Sequence, residues 1–399
     1  MNLFIELILG MILGILTGMF TGLMPGIHIN FVALMISASS SFLLGYFNAI
    51  AIVSFIISMS ITHTFLDFVP SIFLSAPNSE TALSVMPGHD MLLKGRGYAA
   101  VRLAVTGCYL GLFILVITSP LFIYGMPFIY NIIKKSIAII LISASLFLMV
   151  KERDKILAFF IFMLSGALGF ASLNLPVSQP LFPLLTGLFG TSMLVTSVYE
   201  RAKIPKQELS IIKIGRMEKA KAIFAGIFSS GLCSFLPGLG ASQAAVIGSE
   251  ISGKISSRGF LLLLGIISTL VTGLNFVAIL AIGKPRSGVA VAVEKILQSM
   301  TIQQLYLFLA IALISGSVAF LIALFFAKIF AKNVSRINYT KVSIGIALFL
   351  AMMCLVFSGI IGLLIMATAT ALGIFAIKSN VRKMHLMGCL MLPVILYFL

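Results

Sequence analysis

Charge is scarce in this chain: Asp, Glu, Lys and Arg make up 10% of its 399 residues, and only 11 residues are acidic. Soluble domains carry about 25% charged and roughly 45–50% apolar residues, whereas 60% of this sequence is apolar. Too little polar surface remains for a soluble enzyme, a disordered chain or a nucleic-acid-binding module. Cysteine is sparse as well. Cys108, Cys233, Cys354 and Cys389 stand far apart in apolar stretches, which excludes a CxxC metal site and a disulfide framework and leaves buried small hydrophobes. No HExxH, GxSxG, Walker or GxGxxG-after-strand pattern occurs and the 4 His are dispersed, so nothing supports an enzyme, a cofactor or a metal site. The stretch from Met1 to Leu23 lacks a basic n-region and an A-x-A cleavage site, and reads as a first membrane segment rather than a removed signal peptide.

What the sequence does have is a succession of apolar runs. About 20 apolar residues make one helical crossing, so the composition predicts an all-α polytopic protein of the plasma membrane with about ten to twelve transmembrane helices. The runs fall near 3–23, 29–47, 49–75, 99–125, 127–150, 156–173, 181–199, 221–236, 239–252, 259–282, 302–331, 340–360, 361–377 and 384–399. Several are too short, or too broken by Pro and Gly, to cross fully, and are expected to be half-helices or re-entrant hairpins. The net charge of +16 sits in short clusters between runs, such as Lys94 to Arg102, Lys151 to Lys155 and Lys378 to Lys383, as cytoplasmic loops require. The bilayer, not a nucleic acid, is therefore the expected partner. The longest polar stretch, Glu200 to Lys221, holds seven basic and three acidic residues. It divides the chain into halves at 1–199 and 222–399, joined by a cytoplasmic linker at 200–221.

Those halves resemble each other. The segment from Gly14 to Pro25-Gly26 can be laid on Gly226 to Pro237-Gly238 with an offset of 212 and no gap. A tetrad follows in each, Ile27-His28-Ile29-Asn30 and Leu239-Gly240-Ala241-Ser242. A weaker match pairs Ala76-Pro77-Asn78-Ser79 with Lys284-Pro285-Arg286-Ser287, at an offset of 208. If Lys94 to Arg102 is cytoplasmic and three crossings precede it, the two copies enter the membrane from opposite sides, giving two inverted structural repeats. Pro/Gly-interrupted segments at matching places in inverted halves point to the midplane site of a secondary transporter.

Proline removes a backbone donor and glycine permits unusual conformations, so helices are expected to break at Pro25-Gly26 and Pro237-Gly238. A helix that restarts past each break offers free N–H groups and a positive dipole end to an anion. Asn30, Ser242 and Gln243 could add neutral donors, with His28 and Gly240 beside them. The competing reading is a pair of proline kinks that only bend packing helices. Asn78 or Ser79 suits an N-cap, with Glu80 in the first turn, and Pro87-Gly88-His89-Asp90 reads as a second turn. Ionisable residues inside apolar runs suggest function by default. His63 and Asp67, four apart, share a helical face and could carry H⁺ or hold Na⁺ as the coupling ion, or form a structural pair. Glu250 and Lys254 are expected to form an interfacial salt bridge near a helix end, while Lys284, Arg286 and Lys295, near Asn275, could attract an anion or simply mark topology.

Several motifs together resemble the TctA family, the large membrane subunit of tripartite tricarboxylate transporters, in a compact archaeal-type form. They are Gly18-x-x-x-Gly22-Leu-Met-Pro25-Gly26, Pro77-Asn-Ser-Glu-Thr81-Ala, Pro87-Gly88-His89-Asp90, Lys94-Gly-Arg-Gly97, Gly187-Leu-Phe-Gly190 and Leu236-Pro-Gly-Leu-Gly240-Ala, spread over residues 18 to 241. The resemblance implies a secondary carrier for di- or tricarboxylates with its substrate site at the two Pro-Gly hairpins: Pro25, Gly26, His28, Asn30, Asn78 and Ser79 with Pro237, Gly238, Gly240, Ser242 and Gln243. It also implies a cation gradient as driving force, and a small membrane subunit and an extracytoplasmic binding protein as partners; a second copy of the chain is a further candidate partner. Two other classes stay open: a translocase of lipid phosphates such as polyprenyl phosphate, and a non-transporting membrane scaffold.

Overall fold

Backbone in hydrocarbon must satisfy its own hydrogen bonds, and a chain this apolar does so with helices. The computed structural model describes residues 3–24, 29–76, 81–133, 136–150, 152–177, 179–199, 204–235, 240–285, 287–334 and 339–399, and among them every regular element is helical. In the first half these are α1 (Leu3–Leu23), α2 (Ile29–Ala38), α3 (Ser40–Leu43), α4 (Ala49–Leu66), α5 (Phe68–Phe73), α6 (Val85–Leu93), α7 (Gly97–Ile133), α8 (Ile137–Val150), α9 (Lys155–Asn174), α10 (Leu181–Leu185) and α11 (Ser192–Tyr199). The second half has α12 (Arg216–Phe235), α13 (Ala241–Ile251), α14 (Ser257–Ile282), α15 (Gly288–Leu297), α16 (Ile302–Val334), α17 (Tyr339–Lys378) and α18 (Gly388–Phe398).

Eight stretches among the described residues are long and apolar enough to cross a membrane, counting α4 with α5 and α10 with α11 as one each, and two shorter apolar helices lie at Ala138–Val150 and His385–Phe398. The runs at 29–47 and 239–252 hold α2 and α13, which have 10 and 11 residues and are too short to span. The break expected near residue 126 falls later, between α7 and α8, because α7 continues through Pro120 and Pro127 as one helix of 37 residues. In α17 the backbone at Gly359 turns to φ 66°, ψ −166°, a region open essentially to glycine alone, and splits the helix into the two segments expected there.

The core is a crossed pair of helix pairs. α4 and α14 are the most buried of the long helices. α1 lies along α4, and α12 along α14; α7 then packs on α14, and α16 on α4, so each half's third long helix leans on the other half's centre. Small residues allow these approaches, as membrane helix packing requires. On α1, Gly10, Gly14 and Gly18 face the carbonyls of Ala51, Phe55 and Met59 so closely that a Cβ would collide with each. Gly107 of α7 and Gly265 of α14 face each other's backbones in the same way.

Pro70 explains the break between α4 and α5. It has no N–H to give the Leu66 carbonyl, so one rung of the ladder is lost. The helix runs on regardless: Asp67 keeps helical angles (φ −60°, ψ −24°), its N–H bonds the His63 carbonyl, and its own carbonyl accepts from Ser71.

Candidate functional site

Asp67 stands at that lost rung, buried in the bundle with 5% of its surface exposed. Its Oδ2 accepts the Thr81 hydroxyl at 2.7 Å, and the Ser71 hydroxyl meets Thr81 Oγ1 at 2.7 Å. Thr81 follows the segment 77–80 and is itself fixed by Ser84, whose hydroxyl donates to the Thr81 carbonyl at 2.7 Å. The carboxylate is thus tied to the place where the first half's backbone leaves helix, within an oxygen-rich cluster. His63, one turn earlier, is equally buried, and its Nδ1 lies 3.1 Å from the Thr21 hydroxyl of α1, two residues before the end of that helix. His63 therefore ties α4 to α1 just before the first Pro-Gly motif, while Asp67 ties the end of α4 to Thr81. Pro25, Gly26 and His28, with Asn78 and Ser79 and with Pro237 and Gly238, lie outside the described residues, as do Glu80 and Arg286 and the side chain of Gln243.

Asn30 has an identifiable task. Its Oδ1 accepts the Val289 N–H at 3.1 Å, in the first turn of α15, where Ser287 also caps Ala290. α2 packs on α15, so the residues after the first Pro-Gly meet those after Lys284-Pro285 of the second half. In the complementary pair, α13 lies against the turn at Ala82–Ser84, and Ser242 is fully buried. Gly240 is half-buried at the start of α13. The interruptions thus meet crosswise, first half with second.

Three expectations are corrected. Pro87-Gly88-His89-Asp90 is not a turn but lies inside α6; Pro87 falls in its first turn, where helix N–H groups have no intrahelical partner and a proline costs little. His89 is buried between the hydroxyls of Ser75 and Ser197, each at 3.3 Å. Burial, and then the nearby Lys383 ammonium, push its imidazole down to about 4, so it stays neutral. Glu250 does not pair with Lys254: α13 ends at Ile251 and Gly253 turns the chain away at φ 66°, and Glu250 Oε1 lies 3.6 Å from Arg382 Nη1 instead. Lys284 turns outward onto Tyr130, 3.3 Å from its hydroxyl and 5.4 Å from its ring centre.

The structure also exposes correspondences that the motif comparison missed. Glu6, in the first turn of α1, accepts the backbone N–H of Asn48, the N-cap of α4. Glu218, 212 residues on, accepts the N–H of Ser256, the N-cap of α14. Leu66-Asp67-Phe68-Val69 likewise matches Leu274-Asn275-Phe276-Val277 at an offset of 208, so a buried Asn275 stands where the first half has Asp67. A scan at the offset of 212 would have found the first, and one at 208 the second.

Helices long enough to cross a bilayer, with α2 packed on α15 and α13 on the turn at Ala82–Ser84, define a polytopic membrane protein. The chain belongs to the TctA family of tripartite tricarboxylate transporters, whose family model matches residues 8–388. It is 31% identical over 384 residues, 94% of each chain, to an uncharacterized protein of Methanocaldococcus jannaschii. No solved structure matches it.

Proposed function

We propose that this family member is the carrier subunit for a small di- or tricarboxylate, driven by a Na⁺ or H⁺ gradient, and that its halves are inverted repeats moving by rocking or an elevator-like displacement. The Glu6 and Glu218 clasps support the repeat relation. The substrate site takes Pro25, Gly26, His28, Asn30, Asn78 and Ser79 from one half and Pro237, Gly238, Gly240, Ser242 and Gln243 from the other. As the family description implies, a small membrane subunit and an extracytoplasmic binding protein deliver the substrate.

The observation that carries this reading is the bond from Thr81 to the buried Asp67 carboxylate. Moving an anion inward against an inside-negative potential costs about 2.3 kcal/mol per charge per 100 mV, hence about 7 kcal/mol for a trianion, so co-transported cations must offset it. An empty Asp67 repels the substrate from the hairpin tips. Once Na⁺ sits among Asp67, Thr81 and Ser71, or a proton sits on Asp67 or His63, the repulsion is gone. Loading the cation and admitting the anion thus become one event. A thermal-shift screen of purified protein against di- and tricarboxylates, with and without Na⁺ at two pH values, tests this: stabilisation by a carboxylate that grows with the cation is expected. Stabilisation only by lipid phosphates, indifferent to cations, would favour the translocase reading.

A further inference from the structure

Lys383 lies in the turn before α18, buried with 5% of its surface exposed, and its Nζ has no hydrogen-bond partner among the described residues. It lines an open cavity of about 460 Å³ bordered by the start of α6, the second half of α13, the N-terminal end of α14 and the turn at Arg382 and Lys383. That size falls in the range of about 300–1,000 Å³ usual for small-molecule sites. Three hydroxyls, of Ser249, Ser256 and Ser257, line the same space.

The other charges around it are already matched. Arg382 bonds Glu152 at 2.7 Å and lies 3.6 Å from Glu250; His385 Nε2 is 2.9 Å from Glu152; and Asp90, on α6, is held by Lys94 at 2.8 Å and faces water. His89 stays neutral. Lys383 is left as a buried cation with nothing to balance it, and a group that costs stability in this way usually waits for a counter-ion. Burial alone pushes its ammonium down to about 7.

We propose that the Lys383 cavity is a second anion site, taking a small carboxylate or phosphate oxyanion at the basic, cytoplasmic face of the carrier. The surrounding Lys94, Lys206, Arg216, Lys219, Lys254 and Arg258 place this end inside by the positive-inside rule. Val246 and Ser249 put the cavity one to two helical turns from Ser242, so on the transport reading above it is the station where substrate waits on the inner side. Binding itself does not depend on that reading.

Full-length protein in detergent is tested by thermal shift and calorimetry with citrate, phosphate and sulfate. Wild type should be stabilised by all three. Lys383→Met should raise Tm without anion, since the unmatched charge is gone, and lose the response; Lys383→Arg should keep it. Sulfate, whose charge is constant, should bind about thirty-fold more weakly at pH 8.5 than at pH 6, because Lys383 must then be protonated on binding. Citrate binding that survives in Lys383→Met, or sulfate binding that ignores pH, overturns the proposal. If Lys383→Met does not fold, the wild-type pH series decides. Nanodiscs of neutral and of anionic lipid separate the sources: a lipid headgroup as occupant would abolish the sulfate response in anionic discs only. Asn30→Ala should lose transport yet keep the Lys383-dependent response, so failure of the hairpin-tip site and failure of this one read differently.

Discussion

In the first half, the helix that follows the Pro-Gly interruption carries His63 and Asp67; 208 residues on, the second half has Val271 and Asn275. The frames around them match: a first-turn glutamate clasps the N-cap of that helix in both halves. The small-residue stripes differ as the ionisable residues do. Gly10, Gly14, Gly18 and Gly22 of α1 correspond to Ala222, Gly226, Ser230 and Ser234 of α12. One arm has kept charge and the tightest helix contact; the other has the same shape with neutral groups. On the proposed function, cation sensing falls to the arm with His63 and Asp67, and the neutral arm is left to shape the anion site.

The largest expected effect comes from erasing that difference. Asp67→Asn makes the first arm resemble the second and should lower uptake in vesicles about a hundredfold, with loss of its cation dependence, in line with site–site coupling of a few kcal/mol. Asn275→Asp should also impair uptake, by setting a second negative charge near the substrate. Equal tolerance of both changes would break the comparison.

Next in size are the helix seams. Gly18→Ala drives a Cβ against the Met59 carbonyl and should cost about 1–3 kcal/mol of stability, an overpacking penalty. At the matching position, the Ser230 hydroxyl is buried without a partner, so Ser230→Ala should be neutral or stabilising by about 1 kcal/mol. Thermal unfolding in detergent measures both.

The clasps come third. Glu6→Ala leaves the Asn48 N–H without its acceptor in a partly buried place and should cost about 1 kcal/mol; Glu218→Ala, more exposed, should cost less. The ratio of the two Tm shifts checks this.

Smallest is a pH effect outside the arms. Burial pushes the Glu152 carboxyl up, but bonds from Arg382 and His385 outweigh this and hold it below its usual value. Its contribution is therefore complete above the ordinary glutamate pKa and is lost as pH falls through the lowered one. Tm should drop between pH 6 and pH 3 in wild type, and less in Glu152→Gln.

Much of this was legible in the sequence. Apolar run length gave most of the crossings, and the Pro-Gly matches marked where helices stop. Legibility failed where tertiary contacts decide. Pro120 and Pro127 look like a boundary, yet packing against α14 carries α7 through. Pro87-Gly88 looks like a turn, yet a proline in the first turn of a helix breaks no rung. Asn30 was expected as a donor, and its oxygen is used to cap α15, a partner 259 residues away. Lys383 read as one more topology charge, because nothing local reveals that its ammonium is buried without a hydrogen-bond partner among the described residues.

Co-flux decides the central claim. Proteoliposomes containing wild type or Asp67→Asn are loaded with labelled carboxylate under an imposed Na⁺ or H⁺ gradient, and cation and substrate entry are counted together. The account predicts a fixed cation-to-substrate ratio in wild type and no cation-driven uptake in the variant. Unchanged, gradient-driven accumulation by Asp67→Asn would contradict it.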